Sequence, residues 1–442
     1  MYRDLTKGNI SRSLLLFALP MIAGDLLQQF YNIADTLIVG RVLGTNALAA
    51  VGSSYTLMTF LTSIFLGLSM GSGALFSIYR GKKEENALKS AITHAFGLIL
   101  SITLFINVVL YFCINPILAF LRVPKTVWGG MRSYLLIIFA GLLATSLYNF
   151  FSCLLRAIGN TTIPLLFLAI SSVLNIGLDI LFVAVLHWGI GGAAFATVLS
   201  QYVSGIGIFI YMLLCCPEYV PRCKQMRWDW KILKEIASLS SLTCLQQSVM
   251  NFGILMVQGL VNSFGPTIMA AFAATVKIDT FAYLPVQDFG NAYSTFVAQN
   301  FGANDRERIR KGTKQAFCIS FLFSCILSAL VCIFAVPLMQ LFVNAAETDV
   351  IASGVYYLRI EGACYFGIGW LFLFYGYYRA VKRAEIAVVL TVISLGLRVV
   401  LAYLLAPQIG EIGIWMAIPI GWGVADLTGV ILYRKLYRLP LT

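Results

Sequence analysis

The chain is short of charge. Charged residues make up 11% of its 442 residues and hydrophobic residues 60%, against about 25% and 45–50% in soluble domains. So little charge cannot clothe a water-exposed surface, which leaves a polytopic membrane protein. Histidine is scarcer still. His94 and His187 are the only two, and neither has a neighbouring ligand residue. No His-Glu-x-x-His motif exists, nor a Gly-x-Ser-x-Gly with a usable histidine, so hydrolase chemistry finds no catalytic pair and no enzyme is expected. The ten cysteines form no Cys-x-x-Cys pair and lie mostly in apolar runs, where they pack as small soft hydrophobes. Strict alternation is also missing, which argues against a β-barrel.

What remains is long apolar helix. About 20 apolar residues span a bilayer. The sequence predicts an all-α membrane protein with about twelve spans, near 14–38, 47–78, 91–114, 131–153, 163–186, 190–215, 233–262, 267–299, 315–341, 353–378, 385–406 and 412–433. The first run is too long for a cleavable signal peptide and continues into the multi-span pattern.

A net charge of +12 invites a nucleic-acid reading, but its distribution points elsewhere. The termini and every second loop hold most of the basic residues. They include Arg3, Lys7 and Arg12, the run Arg80 to Lys89, Arg156, the linker's Arg222, Lys224 and Arg227, the run Arg306 to Lys314, Arg379 to Arg383, and Arg434 to Arg438. This is the positive-inside bias, and it places both termini in the cytoplasm of a plasma-membrane protein.

The polar stretch 216–231 divides the spans six and six, predicting an N-lobe over 1–215 and a C-lobe over 232–442. The halves repeat weakly. Leu27-Gln28-Gln29 recurs as Leu245-Gln246-Gln247, Gly81 and its charged run as Gly302, Tyr134-Leu135 as Tyr357-Leu358, and Arg156-Ala157 as Arg379-Ala380. Parallel repeats of this kind build many secondary transporters.

Polar side chains then fall into stripes at helical spacing. Asp25, Gln28, Asn32 and Asp35 share a face of the first span, Ser171 or Ser172, Asn175 and Asp179 of the fifth, Thr197, Gln201 and Ser204 of the sixth. Gln247 and Asn251 align on the seventh span and Asp288 sits on the eighth. Asparagine and glutamine serve readily as interhelical glue. A carboxylate does not, because it costs ~3 kcal/mol at the bilayer centre even on lenient scales. Asp35 and Asp179 are therefore the candidates for cation coupling. Burial favours the protonated carboxyl, so such a group can carry a proton, and with the oxygens of Asn175 and Thr197 it can also ligate Na⁺. Lys277, Asp279, Glu361, Arg398 and Asp426 are buried charges that mutual pairing and substrate contact explain equally well. Pro20 permits a bend in the first span.

These residues resemble those of the multidrug and toxic compound extrusion (MATE) transporters. The likeness rests on Gly8-Asn9-Ile10, Leu19-Pro20, Asn32-Ile33-Ala34-Asp35-Thr36, Arg156-Ala157-Ile158-Gly159-Asn160-Thr161, Leu174 to Asp179, and Gly189-Ile190-Gly191-Gly192-Ala193-Ala194 with Ala196-Thr197. It covers the whole chain. The resemblance implies two six-helix lobes around a central cavity and a monomeric antiporter. Such a protein exports cationic, amphipathic organic compounds against H⁺ or Na⁺ and needs no cofactor. It places the cation site on Asp35, Asn175, Asp179 and Thr197 and a hinge at Pro20, while the polar stripes themselves point to a cavity lined by Gln28, Asn32, Gln201, Gln247, Asn251 and Asp288. The sodium-driven branch carries a carboxylate midway along the tenth span, where this chain has Gly367-Ile368-Gly369-Trp370. The resemblance thus leans toward the damage-inducible (DinF-like) branch. A lipid-linked saccharide flippase of the same wider superfamily is the alternative, and it would be expected to show more mid-span Arg and Lys.

Overall fold

In a computed structural model, which describes residues 3–120, 123, 125–220 and 229–437, the chain is a succession of helices with no strand among the described residues. They are α1 Ile10–Leu43, α2 Thr45–Lys82, α3 Glu85–Phe120, α4 Lys125–Ala157, α5 Thr162–Asp179, α6 Gly189–Cys215, α7 Trp230–Asn262, α8 Pro266–Gly302, α9 Arg306–Ile333, α10 Ala335–Gln340, α11 Thr348–Gly362, α12 Tyr365–Ala380, α13 Ala384–Ile409 and α14 Glu411–Tyr437. Arg222, Cys223, Lys224 and Arg227 of the linker, and Arg438, lie outside the described residues.

Eleven of the described helices are long and apolar enough to cross a bilayer. The tenth expected span is not one helix. It is built from α11 and α12, broken at Ala363-Cys364, where Cys364 N–H reaches Glu361 and Gly367 N–H reaches Cys364 at 2.9 and 2.8 Å. Gly362 and Gly367 flank the break, and glycine weakens a helix interior by about 1 kcal/mol relative to alanine. The ninth expected span is shorter than its apolar run, because Pro337 cannot donate to the carbonyl of Ile333 and ends the helix there. The fifth continues past Asp179, but as a wider π-helical turn, Ile180–Val185.

Chain contacts divide the molecule into two compact units, one of Met1–Asp4 with Leu19–Cys244 and one of Leu5–Ala18 with Leu245–Thr442. The helices α1 and α7 therefore each pass from one unit to the other. The α1 crossover falls at Leu19, next to Pro20, although α1 continues as helix through the proline.

In unit 1, α4 packs on α2, α3 and α6. Close approach comes from small residues. A Cβ built on Gly67 or Gly71 of α2 would stand 2.5 Å from the Cα of Cys244 or Ser240 on α7, and Ser72 and Ser240 share a hydroxyl hydrogen bond at 2.9 Å. Two small-x-x-x-small pairs thus lock α2 to the first half of α7, where apolar burial gives little selectivity between helix faces. In unit 2, α8 and α12 form the centre, joined where Ser294 donates to the Gly376 carbonyl at 2.9 Å.

The helix starts follow ordinary capping chemistry. Asn9, Asn160, Asp229 and Asp305 accept backbone N–H groups of the first turns of α1, α5, α7 and α9. The Gly-Asn pairs of the resemblance motifs thus include two helix caps.

Candidate functional site

Asn175 and Asp179 stand one turn apart on the buried face of α5, 2% and 0% exposed. The π-helical turn begins directly after Asp179. Such turns widen a helix at the cost of regular hydrogen bonding, and they recur at functional positions. Here the turn is fixed from outside. Phe182 stacks on Trp188 at 4.7 Å, and a Cβ at Gly192 would meet both side chains at about 3 Å. Helix α1 packs beside α5 at Gly24, next to Leu165 and Leu168. That brings Asp35 to Asp179, with their carboxyl groups within hydrogen-bonding reach of each other. Thr197 of α6 completes the group, accepting the Asn175 amide at 3.4 Å and donating its own hydroxyl to the Ala193 carbonyl.

The chemistry of this group lies in what it lacks. Both carboxylate oxygens of Asp179, one of Asp35 and the amide oxygen of Asn175 are buried with no donor. Among the described residues no lysine or arginine makes an ion pair with either aspartate. Four acceptors gathered without a donor cannot satisfy one another. Two carboxyl groups in contact need either a proton between them or a cation against them, and an uncompensated buried charge costs several kcal/mol. The oxygens are hard ligands, suited to H⁺ or an alkali cation and ill suited to soft metals.

The surroundings are apolar and aromatic. Val39, Val51, Ile138, Val183, Ala193 and Val198 form the packed wall. Tyr31, one turn before Asp35, and Tyr134 of α4 stand near enough to act electrostatically on the carboxylates. Neither tyrosine was singled out in the sequence. The i, i+4 spacing of Tyr31 and Asp35 was legible, whereas Tyr134 required the helix packing.

The other expected site residues distribute unevenly. Gln28 is half-buried one turn before Tyr31, and Asn32 is half-buried one turn before Thr36, which bonds back to its carbonyl. Gln201 presses against Gly141 of α4 with its side-chain oxygen buried and unmet. In unit 2, Asn251 turns back to the Gln247 carbonyl at 3.1 Å, while Gln247 and Asp288 are buried, 5% and 2% exposed. Lys277 is exposed on α8.

Comparison with known proteins gives the family. The family model MatE matches residues 20–181 and again 242–404, one stretch in each half of the chain. The chain is 30% identical to the probable multidrug resistance protein YpnP of Bacillus subtilis (strain 168) over 98% of its length and 96% of that protein. It is 25% identical to a Shewanella oneidensis protein named as an FAD transporter, covering 94% and 92%. Among solved structures it superposes with a TM-score of 0.92 on an outward-facing multidrug resistance MATE family transporter of the MOP superfamily, at 22% identity over 98% of this chain and 96% of that one. The double match and the full-length identity settle the assignment: this chain is a multi-span membrane protein of the MatE family.

Proposed function

We propose that the protein is a cation-coupled antiporter that exports cationic, amphipathic organic compounds across the plasma membrane, driven by H⁺ or Na⁺. The observation that carries this reading is the donor-free cluster of Asp35, Asn175 and Asp179, which needs one positive charge to be stable. A proton or Na⁺ meets that need, and so does an organic cation. Two ligands that neutralise the same carboxylates exclude each other, which is the minimum an exchanger requires. Each ligand shifts the conformational equilibrium only by its difference in affinity for the two states. Pro20 sits where α1 changes unit and leaves the Leu16 carbonyl without its intrahelical donor, so bending there is the motion this reading assigns to the carboxylate-bearing half of α1. The basic bias supports a cytoplasmic position for both termini. The small-molecule substrates of the multidrug relatives, and action as a monomer in the bilayer, belong to the same reading.

The test is efflux of a fluorescent organic cation such as ethidium from proteoliposomes, under a pH gradient and a Na⁺ gradient separately, with Asp179→Asn alongside. The reading requires gradient-driven efflux that the substitution abolishes, and the effective gradient names the ion. Efflux equal in wild type and variant would refute it. A second reading, export of an anionic flavin nucleotide, is favoured by the exposed Lys277 within α8 and by the relative named as an FAD transporter. Flavin adenine dinucleotide offered in the same vesicles separates the two.

A further inference from the structure

The end of unit 2 at which α9 begins and α12 and α14 end carries a cleft of about 180 Å³. Helix α12 packs against both α9 and α14, and its Phe374 and Tyr377 form the floor. Thr313 and Phe317 of α9 make one wall, Val430 and Tyr433 of α14 the other. The rings brace one another. Phe317 meets Phe374 edge-on, and Tyr433 meets Tyr377 in the same way, each pair at 5.0 Å. Helix α14 is pinned to α12 where Tyr378 donates to the Gly429 carbonyl at 2.7 Å, and where a Cβ on Gly429 would stand 2.8 Å from the Phe374 ring. The cleft is thus held in a fixed shape. The Thr313 hydroxyl is already engaged, by Tyr293 at 2.7 Å and by the Ile309 carbonyl at 2.8 Å, so the wall it adds asks for no polar ligand.

The mouth of the cleft is basic. Lys314, exposed on α9, completes the lining, and a lysine can run its apolar stem beside such walls while its ammonium stays outside. Arg310 stands one turn before it and Arg434 one turn after Val430, both exposed. Lys311 is matched by Glu307 at 2.6 Å, but Lys314, Arg310 and Arg434 make no ion pair among the described residues. No acidic side chain lines the cleft. Away from the mouth, the rims are apolar and open. Phe321, one turn on from Phe317, is 44% exposed, and Leu427 and Ile431 beside Val430 are 66% and 65% exposed. Contiguous apolar surface of this kind marks contact with membrane or partner. An apolar cavity of about 150 Å³ already holds a benzene-sized guest, so the cleft admits a stretch of one hydrocarbon chain and not a helix. An apolar depth under a cationic mouth is complementary to an anionic head on an apolar chain.

We propose that this cleft binds one anionic phospholipid of the surrounding bilayer. One acyl chain lies between Phe317 and Tyr433 over Phe374 and Tyr377, and the phosphate sits at Lys314 with Arg310 and Arg434 beside it. Basic pockets between spans hold acidic headgroups in this way. A headgroup of net negative charge is selected over a zwitterionic one, whose own ammonium would meet the same cations. The lipid also ties α9 to α14, which otherwise rest together on α12. The site uses none of the residues of the Asp35–Asp179 cluster and does not depend on the antiport reading.

The test is native mass spectrometry of the full-length protein, delipidated in detergent and given phosphatidylglycerol and phosphatidylethanolamine with the same acyl chains in equal amounts. The expected result is one phosphatidylglycerol per chain, held in preference to phosphatidylethanolamine. Lys314→Gln should weaken that binding about fivefold, the effect of one basic residue at an acidic headgroup, and leave phosphatidylethanolamine unchanged. Val430→Trp fills the cleft, keeps every charge and should abolish the preferred phosphatidylglycerol. Melting temperatures without lipid confirm that the variants fold, and added phosphatidylglycerol should raise that of the wild type more than that of either variant. Equal binding of the two lipids overturns the proposal. A preference unmoved by Lys314→Gln overturns it as well, since the headgroup would then lie elsewhere. So does a preference that survives Val430→Trp, which would come from surface charge without the cleft. Glycerol 3-phosphate, a headgroup without chains, is expected to compete poorly, and competition as strong as the lipid's would also overturn the site. Because no transport is measured, failure here leaves the antiport reading standing, and a failed efflux assay leaves this site untouched.

Discussion

Asn175 gives its amide hydrogen to Thr197 at 3.4 Å and keeps its amide oxygen bare. The threonine thereby fixes which end of the amide is left unmet. Thr197→Val preserves shape and removes the hydroxyl, which frees the asparagine to turn. A single neutral hydrogen bond contributes about 0.5–1.5 kcal/mol net. The apparent affinity for the coupling cation is therefore expected to fall roughly two- to tenfold, with maximal efflux preserved at saturating gradient. A loss of all transport would mean that Thr197 does more than orient Asn175.

On the proposed antiport reading Asp35 and Asp179 act on one charge, so their substitutions should not add. Asp35→Asn or Asp179→Asn alone removes the pair that shares the proton or cation, and either is expected to abolish gradient-driven efflux of ethidium. In a direct binding measurement, the double variant is expected to lose little beyond the worse single variant. The coupling energy between contacting groups is about 0.5–3 kcal/mol. Losses that sum across the two sites would show that the carboxylates bind independently.

The sequence and the structure part company in instructive places. Helix periodicity was enough to mark Asp35, Asn175, Asp179 and Thr197, because a carboxylate in an apolar run is conspicuous and i, i+4 spacing fixes the face. Their meeting depends on how α1 packs beside α5 and on the π-helical turn after Asp179, and nothing in Ile180–Val185 announces a turn one residue wider than α. The break at Ala363-Cys364 was hidden for the same reason, since hydropathy reads composition and is blind to a missing hydrogen bond. The cleft over Phe374 and Tyr377 was hidden too, because its walls come from α9 and α14 and no spacing in the sequence links them to α12. The unit boundary at Cys244 also lies inside an uninterrupted helix, away from the polar linker that composition singles out.

The α2–α7 contact in unit 1 leaves no space for a side chain. A Cβ at Gly71 would fall 2.5 Å from the Ser240 Cα and 2.7 Å from the Leu239 carbonyl oxygen. Backbone cannot yield as a flexible side chain can, so Gly71→Ala forces the helices apart and costs at least about 1–3 kcal/mol. Gly97→Ala on α3, where a Cβ meets nothing within 4 Å, is the control. It is expected to be neutral or slightly stabilising, by up to about 1 kcal/mol from helix propensity. Thermal unfolding of the detergent-purified variants, followed by fluorescence, should separate the two clearly. Equal melting temperatures would mean that α2 and α7 are not in backbone contact.

At the start of α9, Arg308 gathers the N-terminal segment. Its guanidinium donates to the carbonyls of Leu5, Lys7 and Gly8 at 3.2, 2.7 and 3.0 Å, while Asn300 donates to the same Leu5 carbonyl at 3.2 Å. Leu5 itself is fully buried. The planar fork of arginine reaches three acceptors at fixed angles, which a lysine ammonium on a flexible stem does not reproduce. Arg308→Lys is thus expected to behave much like Arg308→Ala here, each loosening residues 5–8. Hydrogen bonds to a charged donor contribute about 1.5–3 kcal/mol. Loss of several should raise amide hydrogen exchange in this segment by one to two orders of magnitude or more, while α4 and α12 keep their protection. If the lysine variant protects the segment as well as the wild type does, a single point charge suffices, and the three-carbonyl geometry is not what holds the N-terminus in place.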